Sequence, residues 1–324
     1  MLTYDFRLPP GPDTVELAVL AEKLGYDAVW CPEIPAFGHD IWITLARIAE
    51  KTTRLKFGPS VLIPSYRHPM AQASAIATLE QIAPGRLMVG FGTGFTGRAG
   101  MGKKPLKLAE MRTHIEQVRG LLRGDIVDID GGLAQIIASP GRLPDRPINV
   151  PFLMAADGPK GRALAKEITD GLISLAGPAQ GFDTCLCSVH GTVMDDGETV
   201  ASPRVASAVA PLIALRYHFK YTYDPEGAKG LPNGEAWVAS LQTVPEEIRH
   251  LSLHKGHVLD IGNGHDQLVD TSSAKEMTFT GTRGELRQRL AALETGGATG
   301  IIFGTSGYDV ERELHAYAEV AGLS

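Results

Sequence analysis

The fold is decided by residues 52–94, which read TTRLKFGPSVLIPSYRHPMAQASAIATLEQIAPGRLMVGFGTG. An apolar, β-rich run at residues 55–63 is followed by a helical pattern at residues 70–82 and a second apolar run at residues 86–91. Each apolar run gives way to polar or glycine-rich residues of the kind that bind ligands. This alternation predicts parallel strands with helical crossovers and with ligand-binding residues at one end of the sheet.

The same alternation extends over the whole chain. The candidate strands are residues 4–7, 27–30, 55–63, 86–91, 151–155, 171–175, 204–215 and 300–303. The candidate helices, with apolar residues three and four positions apart, are residues 14–24, 41–52, 70–82, 106–122, 161–168, 284–293 and 310–320. Eight strands alternating with helices predict an α/β fold, a (β/α)8 TIM barrel formed by residues 1–324 as a single domain.

Two segments interrupt the alternation. Residues 124–143 are short, punctuated by glycine and alternating in polarity, which predicts a small hairpin before the fifth strand. Residues 216–275 are rich in Tyr, His, Gly and Pro and contain a helical stretch at residues 245–253. Because insertions on a barrel usually lie over its working face, we predict that residues 216–275 form a lid.

Composition limits the class of function. The chain has 324 residues, 44% of them apolar, and a formal net charge of −6 at pH 7. The negative charge argues against nucleic acid or an anionic membrane as the partner and favours a small-molecule substrate. No apolar run reaches the roughly 18 residues of a membrane span, and residues 1–5 lack signal-peptide order, so we expect a cytoplasmic protein. The chain has an odd number of cysteines, Cys31, Cys185 and Cys187, and the last two are too close in sequence for a usual disulfide. This predicts reduced thiols.

Several segments together resemble a known family. They are GYDAVW at residues 25–30, the stretch at residues 52–94, AADGPKGRALAKEITDGLI at residues 155–173 and FTGTRGELRQRLAALETGGATGIIFG at residues 279–304. These segments resemble the bacterial luciferase-like flavin superfamily, including its branch similar to methylenetetrahydromethanopterin reductase. The resemblance implies an eight-stranded barrel that binds reduced FMN or the deazaflavin F420 at the strand carboxyl ends.

The resemblance also implies where the cofactor is held. The family often has a non-prolyl cis peptide beneath the flavin, and the matching step here is Ser60-Val61; an ordinary strand followed by Pro64 is the alternative. Gly92-Thr93-Gly94 would lie close to the flavin, although turn glycines with no ligand role are equally consistent with this loop. The match of this glycine-rich loop to a dinucleotide-binding loop is imperfect. Cys31 and Gly177 would line the same end.

A phosphate of the cofactor could be held where a helix begins after the fifth strand. Glycines allow close approach, the first helical N–H groups have no intrahelical partner, and the helix dipole favours an anion. The residues are Asp157, Gly158, Pro159, Lys160 and Gly161. The alternative is that Asp157 only caps the helix, with Pro159 in its first turn.

Four residues after the second and third strands are candidate catalytic residues. Many family members carry an Asp-His pair after the second strand; Glu33 matches the acid, but Ile34 stands where the His would be, which counts against a sugar-dehydrogenase type of mechanism. His39 could act as a proton donor instead. Arg67 and His68 could stabilise negative charge on the flavin. In a structural role, Arg67 would pair with a carboxylate, His68 would cap a helix and His39 would lie at the surface.

The sequence favours a reduced-FMN-dependent monooxygenase acting on a small organic substrate, with a separate flavin reductase as a possible partner. The first alternative is an F420-dependent reductase or dehydrogenase that transfers hydride, and the second is a flavin-binding protein without catalysis. Family analogy predicts a homodimer.

No metal is expected, because the spacing of the candidate ligands matches no strong zinc pattern; these candidates are His254, His257, His265 and Asp266. Residues 216–221 mix basic and aromatic side chains and are interpreted as a wall of the lid or substrate site.

Overall fold

Parallel strands dominate the computed structural model, which describes residues 2–259, 261, 264–307 and 309–323. The strands within this part of the chain are β1 (Thr3–Arg7), β2 (Ala28–Cys31), β3 (Lys56–Pro59), β4 (Val89–Phe91), β5 (Val127–Ile129), β6 (Gly132–Ala134), β7 (Phe152–Ala155), β8 (Gly171–Ser174), β9 (Cys185–His190), β10 (Val193–Met194), β11 (Gly281–Thr282) and β12 (Gly300–Gly304).

The α-helices of the same residues are α1 (Thr14–Leu24), α2 (Ile41–Lys51), α3 (Pro69–Ile82), α4 (Phe95–Ala99), α5 (Leu108–Arg123), α6 (Pro159–Ile168), α7 (Pro203–Tyr223), α8 (Pro225–Ala228), α9 (Gly234–Gln242), α10 (Arg249–Leu253), α11 (Ala274–Met277), α12 (Arg283–Thr295) and α13 (Val310–Ala321). Short 3-10 turns occupy Pro64–Tyr66, Glu246–Ile248 and Asp266–Leu268.

Eight strands form one sheet in the order β3-β2-β1-β12-β9-β8-β7-β4. The register pairs Asp5 with Ala28 and Val29 with Phe57 in parallel ladders. The two outer strands of this order meet through parallel bridges, Phe57 with Leu87 and Leu62 with Phe91. The sheet therefore closes into a barrel, and the predicted (β/α)8 fold is confirmed.

Burial explains why these short runs form strands. Every residue of β2 and β8 is buried, as expected for a parallel sheet covered on both faces. Side chains from five strands form one apolar cluster: Trp30, Leu153, Ile173, Leu186 and Ile302. The one polar atom of the Trp30 ring is satisfied, because its Nε1–H donates to Asp5 Oδ2 at 2.7 Å.

The chain divides into two compact units. The first comprises residues 1–97, 104–188 and 293–302, and the second comprises residues 98–103, 189–292 and 303–324. Within the second unit, α7 buries Val205, Val209 and Ile213 at four-residue spacing. They share a core with Trp237 and Leu241 of α9.

The prediction of a strand at residues 204–215 is wrong, because these residues lie in α7. Their β-branched side chains recur every fourth residue, which is the helical period rather than that of a strand. The barrel strand missed by the sequence prediction is β9, whose sequence CLCSVH mixes cysteine and polar residues into a short apolar run.

Other predictions from the sequence agree with the structure. Strands β5 and β6 pair antiparallel, which confirms the hairpin within residues 124–143. The helical stretch predicted at residues 245–253 contains the second 3-10 turn and α10. All three cysteines are free thiols. Among the described residues, no helix is long and apolar enough to cross a membrane. The single domain and the lid role of residues 216–275 stay predictions.

Candidate active site at the strand carboxyl ends

The peptide bond between Ser60 and Val61, directly after β3, is cis. This confirms the cis bond that the family resemblance implied. Hydrogen bonds fix the backbone on both sides of it: Ser60 N–H donates to the Cys31 carbonyl at 2.8 Å and Leu62 N–H to the Gly90 carbonyl at 2.7 Å. The segment after β3 is therefore tied to the ends of β2 and β4.

Gly92 lies against the side chain of Val61. A Cβ built on Gly92 would come within 2.4 Å of Val61 Cγ2, so no larger residue fits there without a shift. Gly94 has a φ of +78°, a conformation that favours glycine. Both glycines of the predicted loop thus have a structural reason to be glycine, and this is compatible with close approach of a ligand.

Glu33 is the buried acid of this end of the barrel. Its side chain is 4% exposed, and Oε2 accepts the backbone N–H of Ile63 at 2.8 Å. Burial raises the pKa of Glu33 to about 7, opposed by this hydrogen bond and by the charge of Arg67. A carboxyl group that titrates near neutrality can accept and return a proton at physiological pH.

Arg67 and His68 both have the structural partners considered from the sequence. Arg67 forms an ion pair with Asp40 at 2.5 Å, and Asp40 is also the N-cap of α2 through the N–H groups of Trp42 and Ile43. The Nδ1 atom of His68 accepts the N–H of Met70 at 3.2 Å and so caps α3. These contacts position both side chains, and their role toward a flavin stays a prediction.

His39 and Cys31 lie in opposite environments, and their roles toward a cofactor stay predictions. His39 is exposed, and its backbone N–H donates to the Pro10 carbonyl at 3.4 Å. Cys31 is fully buried, and burial raises the pKa of its thiol to about 12, which keeps it protonated and neutral. The backbone carbonyl of Cys31 accepts the N–H of Ser60, the first residue of the cis bond.

The predicted phosphate loop opens α6, but Asp157 is not its cap. Gly158 occupies the N-cap position and Pro159 is the first helical residue. The Asp157 carboxylate instead accepts the N–H groups of Leu175 and Ala176 at 2.8 and 2.9 Å, which ties the loop after β7 to the loop after β8. The alternative in which Asp157 caps the helix is therefore wrong, because the donors of the neighbouring loop already bind its carboxylate.

The amino end of α6 has room for a ligand. A Cβ built on Gly158 would have no atom within 4 Å, and no side chain caps the first turn of the helix. Lys160 is exposed at this turn, whereas Gly161 packs against the Cβ of Ala156. Gly177 has a φ of +96°, and its carbonyl accepts the hydroxyl of Ser174 at 2.7 Å.

One residue of the site was missed from the sequence. Arg7 ends β1, and its Nη2 donates to the Ser60 hydroxyl at 3.3 Å, next to the cis bond. Burial lowers the pKa of Arg7 to about 10, so it remains a cation at neutral pH. The sequence signal that could have identified Arg7 is a basic residue at the end of an apolar strand. Ligand-binding residues of a barrel are found at such strand ends.

A cleft of about 360 Å³ lies at the opposite, amino end of β7. Arg119, Pro151, Phe152 and Asp170 are among its lining residues, and Arg119 pairs with Asp170 at 2.7 Å. The residues that line this cleft include none of the predicted site residues, so the cleft is separate from the candidate active site.

Comparisons with known proteins agree with this geometry. Residues 7–216 match the sequence model of the family described as luciferase-like monooxygenase. The F420-dependent glucose-6-phosphate dehydrogenase of Amycolatopsis mediterranei (strain U-32) is 28% identical over 326 residues, covering 95% of this chain and 93% of that protein. The 5,10-methylenetetrahydromethanopterin reductase of Archaeoglobus fulgidus is 33% identical over 184 residues, covering 56% and 54%.

A solved structure has the same fold. The coenzyme F420 dependent tetrahydromethanopterin reductase from Methanopyrus kandleri aligns with a TM-score of 0.71 at 18% identity, covering 100% of this chain and 99% of that chain. At this identity the likeness shows the fold alone, an eight-stranded barrel with its surrounding helices.

Proposed function

Because this chain belongs to the luciferase-like monooxygenase family, we propose that it is an F420-dependent oxidoreductase that transfers hydride to or from a carbon of a small organic substrate. That it is an oxidoreductase follows from the family and its relatives. The choice of F420 is supported by a relative that is named as F420-dependent and matches over nearly the whole chain. We therefore favour hydride transfer over monooxygenation, the reaction that the sequence favoured.

The residues at the strand carboxyl ends fit such a cofactor. Gly92 packs against Val61 beside the cis segment, where a Cβ would not fit without a shift, and the open position at Gly158 lets a phosphate approach the N–H groups at the amino end of α6. Lys160 supplies a positive charge at this helix end. When bound there, F420 supplies the hydride chemistry, and the protein supplies binding, orientation and proton transfer.

The proposed mechanism rests on the buried carboxyl group of Glu33 and its raised pKa. In the oxidative direction, the Glu33 carboxylate accepts the hydroxyl proton of an alcohol substrate as its carbon loses hydride; in the reductive direction, the protonated acid returns the proton. A pKa of about 7 makes both forms available near neutral pH. The hydrogen bond to Ile63 orients the carboxyl group beside the cis segment. We therefore assign proton transfer to Glu33, because Ile34 has no imidazole with which to perform it.

The test is a comparison of cofactors with the full chain. The purified protein is titrated with F420, FMN and, without oxygen, reduced FMN, and binding is followed by fluorescence. We expect saturable binding of F420, followed by reduction of F420 when a panel of alcohols and sugar phosphates is supplied. Binding of reduced FMN without binding of F420 would overturn the proposal.

Reduced-FMN monooxygenation is the second candidate, and Ile34 is the observation that favours it. The resemblance places a His at this position in many family members, and its loss here counts against the F420-dependent sugar-dehydrogenase type of mechanism. Oxygen consumption that requires a separate flavin reductase and a substrate would support this candidate. In either case we propose a small organic substrate and a homodimer, which sedimentation analysis tests directly.

A further inference from the structure

The second unit contains a buried cluster of imidazoles, which we call the histidine cluster: His218, His254, His257 and His265, together with Asp266. His218 lies on α7, His254 and His257 follow α10, and Asp266 begins a 3-10 turn. Separate segments of the chain therefore bring these side chains together. His218, His254 and His265 are each less than 4% exposed. Buried polar groups are normally hydrogen-bonded, so this concentration of imidazole nitrogens needs a physical reason.

Asp266 fixes the orientation of His218. Its carboxylate oxygens lie 3.0 and 3.1 Å from His218 Nε2, and Oδ1 also accepts the indole N–H of Trp237 at 3.1 Å. Because an ionised carboxylate only accepts hydrogen bonds, Nε2 of His218 carries the proton and Nδ1 carries the lone pair. The Nδ1 atom of His218 is buried and has no hydrogen-bond partner.

The imidazole of His218 is close to two others. One nitrogen from each of His218, His254 and His257 lies within 4.8 Å of the other two. The Nδ1 atom of His254 is also buried without a hydrogen-bond partner. The ring centroids of the three imidazoles are 5.5, 6.1 and 5.7 Å apart. Three donor atoms therefore converge on one small volume.

We propose that His218, His254 and His257 bind one zinc ion. Tetrahedral zinc with bonds of about 2.0–2.1 Å to imidazole nitrogen separates its ligand atoms by about 3.3 Å, so the rings need to close by at most about 1.5 Å. Three protein ligands leave a fourth position for water or another small ligand. Asp266, which holds the Nε2–H of His218, is the outer carboxylate that commonly orients a zinc-binding histidine.

The electrostatics of the cluster suit a cation. Metal binds the neutral form of imidazole, through a ring nitrogen that carries a lone pair. The carboxylate of Asp266 adds a negative charge behind His218. Imidazole also suits copper and nickel, but zinc is the ion that prefers a tetrahedral site of this kind.

A second set of donors, His218, His265 and Asp266, also lies within 4.8 Å. We favour the first set because Asp266 already accepts two hydrogen bonds, from His218 and Trp237. In the second set, the same carboxylate would serve both as a metal ligand and as the acceptor that orients His218. The two sets differ in a testable way, because only the first needs His254 and only the second needs His265.

The experiment measures metal content in the full chain carrying no histidine tag. Protein expressed with added zinc is dialysed, and zinc is quantified by mass spectrometry of the elements. We expect about one zinc per chain in the wild type, at least tenfold less in His254→Gln, and wild-type content in His265→Gln and in His315→Gln, a control at an exposed position of α13. Circular dichroism checks that each variant is folded.

A measurement on the wild type alone keeps the proposal testable if His254→Gln fails to fold. Metal-free protein is titrated with Co²⁺, which absorbs visible light strongly in tetrahedral sites, and then with zinc. Saturable cobalt bands that zinc abolishes support the proposal. Wild-type protein with neither zinc nor cobalt bands overturns it. Loss of zinc in His265→Gln with retention in His254→Gln overturns the ligand set proposed here.

Discussion

The carboxylate oxygen Oε2 of Glu33 lies 2.8 Å from the backbone nitrogen of Ile63 and accepts its N–H. This bond joins the end of β2 to the segment that follows the cis peptide between Ser60 and Val61. The same carboxyl group has a pKa of about 7 because it is buried. The Glu33 side chain thus fixes the backbone next to the cis peptide, where we propose that the cofactor binds, and holds a titratable proton there.

We expect Glu33→Gln to lower kcat by about 10²–10⁴-fold, the usual contribution of a general acid or base. The amide oxygen can still accept the Ile63 N–H, so the fold is retained while proton transfer is lost. For alcohol oxidation, the wild-type rate should rise with pH through about 7, because the carboxylate is the active form. This limb should disappear in the variant, as measured by F420 reduction over a pH series.

Glu80→Gln is the matched control for this variant. Glu80 also has a raised pKa from burial and also accepts a backbone N–H, that of Gly85 at 2.7 Å, but it lies near the end of α3. We expect it to leave the rate and its pH dependence unchanged. A pH limb near 7 that persists in Glu33→Gln would assign that titration to another group.

We expect Asp5 to make the protein less stable as the pH rises. Burial raises the pKa of Asp5 from 3.8 to about 7, so the folded chain retains a proton that the unfolded chain releases between these values. The stability from this group is full below pH 3.8 and is lost as the pH rises toward 7, by an amount on the order of 4 kcal/mol. Urea unfolding at several pH values measures this slope.

Asp5→Asn should remove that slope while keeping the hydrogen bond from Trp30, since the amide oxygen still accepts it. Asp145→Asn, at an exposed position of the first unit, is the control and should retain the wild-type slope. Equal slopes for Asp5→Asn and wild type would show that Asp5 titrates at the same pH in both the folded and the unfolded chain.

Gly92→Ala should destabilise the fold by about 1–3 kcal/mol, as expected when a methyl group is forced into a packed place. The added Cβ would meet Val61 Cγ2 at 2.4 Å and displace the segment that carries the cis bond. We also expect weaker F420 binding. Thermal unfolding measures the first effect, and fluorescence titration the second. Gly284→Ala is the control: a Cβ there meets no atom within 4 Å, and alanine favours helix α12 by roughly 0.5–1 kcal/mol.

Gly158→Ala should separate binding from stability. A Cβ at Gly158 meets no protein atom within 4 Å, so the melting temperature should stay within about 2 °C of the wild type. A cofactor phosphate at the amino end of α6 would meet this methyl group, and we expect F420 to bind about tenfold more weakly, a loss of about 1.4 kcal/mol. Unchanged F420 affinity would place the phosphate elsewhere.

The sequence predicted most of the barrel because its strands are short apolar runs that end in glycine, proline or polar residues. It failed at α7, where β-branched residues concealed a helical period, and at β9, where cysteine and polar residues diluted the apolar run. The cis bond after Ser60 was predicted through the family resemblance and not through local propensity. Boundaries shifted by a few residues wherever capping decided them, as at His68 and Pro69.

The site was harder to predict because its contacts join residues that are far apart in the chain. No local pattern shows that Glu33 accepts a bond from Ile63, that Asp157 is bound by Leu175, or that Arg7 contacts Ser60. The histidine cluster is a similar case: His254 and His257 are neighbours in sequence, but His218 reaches them only through the packing of α7. Such sites depend on tertiary structure rather than on spacing.

The close fit of Gly92 against Val61 has an evolutionary consequence. With Val61 in place, any larger residue at position 92 meets its Cγ2 atom, so enlarging position 92 costs stability unless position 61 has already become smaller. The two positions are therefore expected to show epistasis, with the order of substitution deciding which intermediates fold. Homologues that reshape this end of the barrel should change the two residues as a pair.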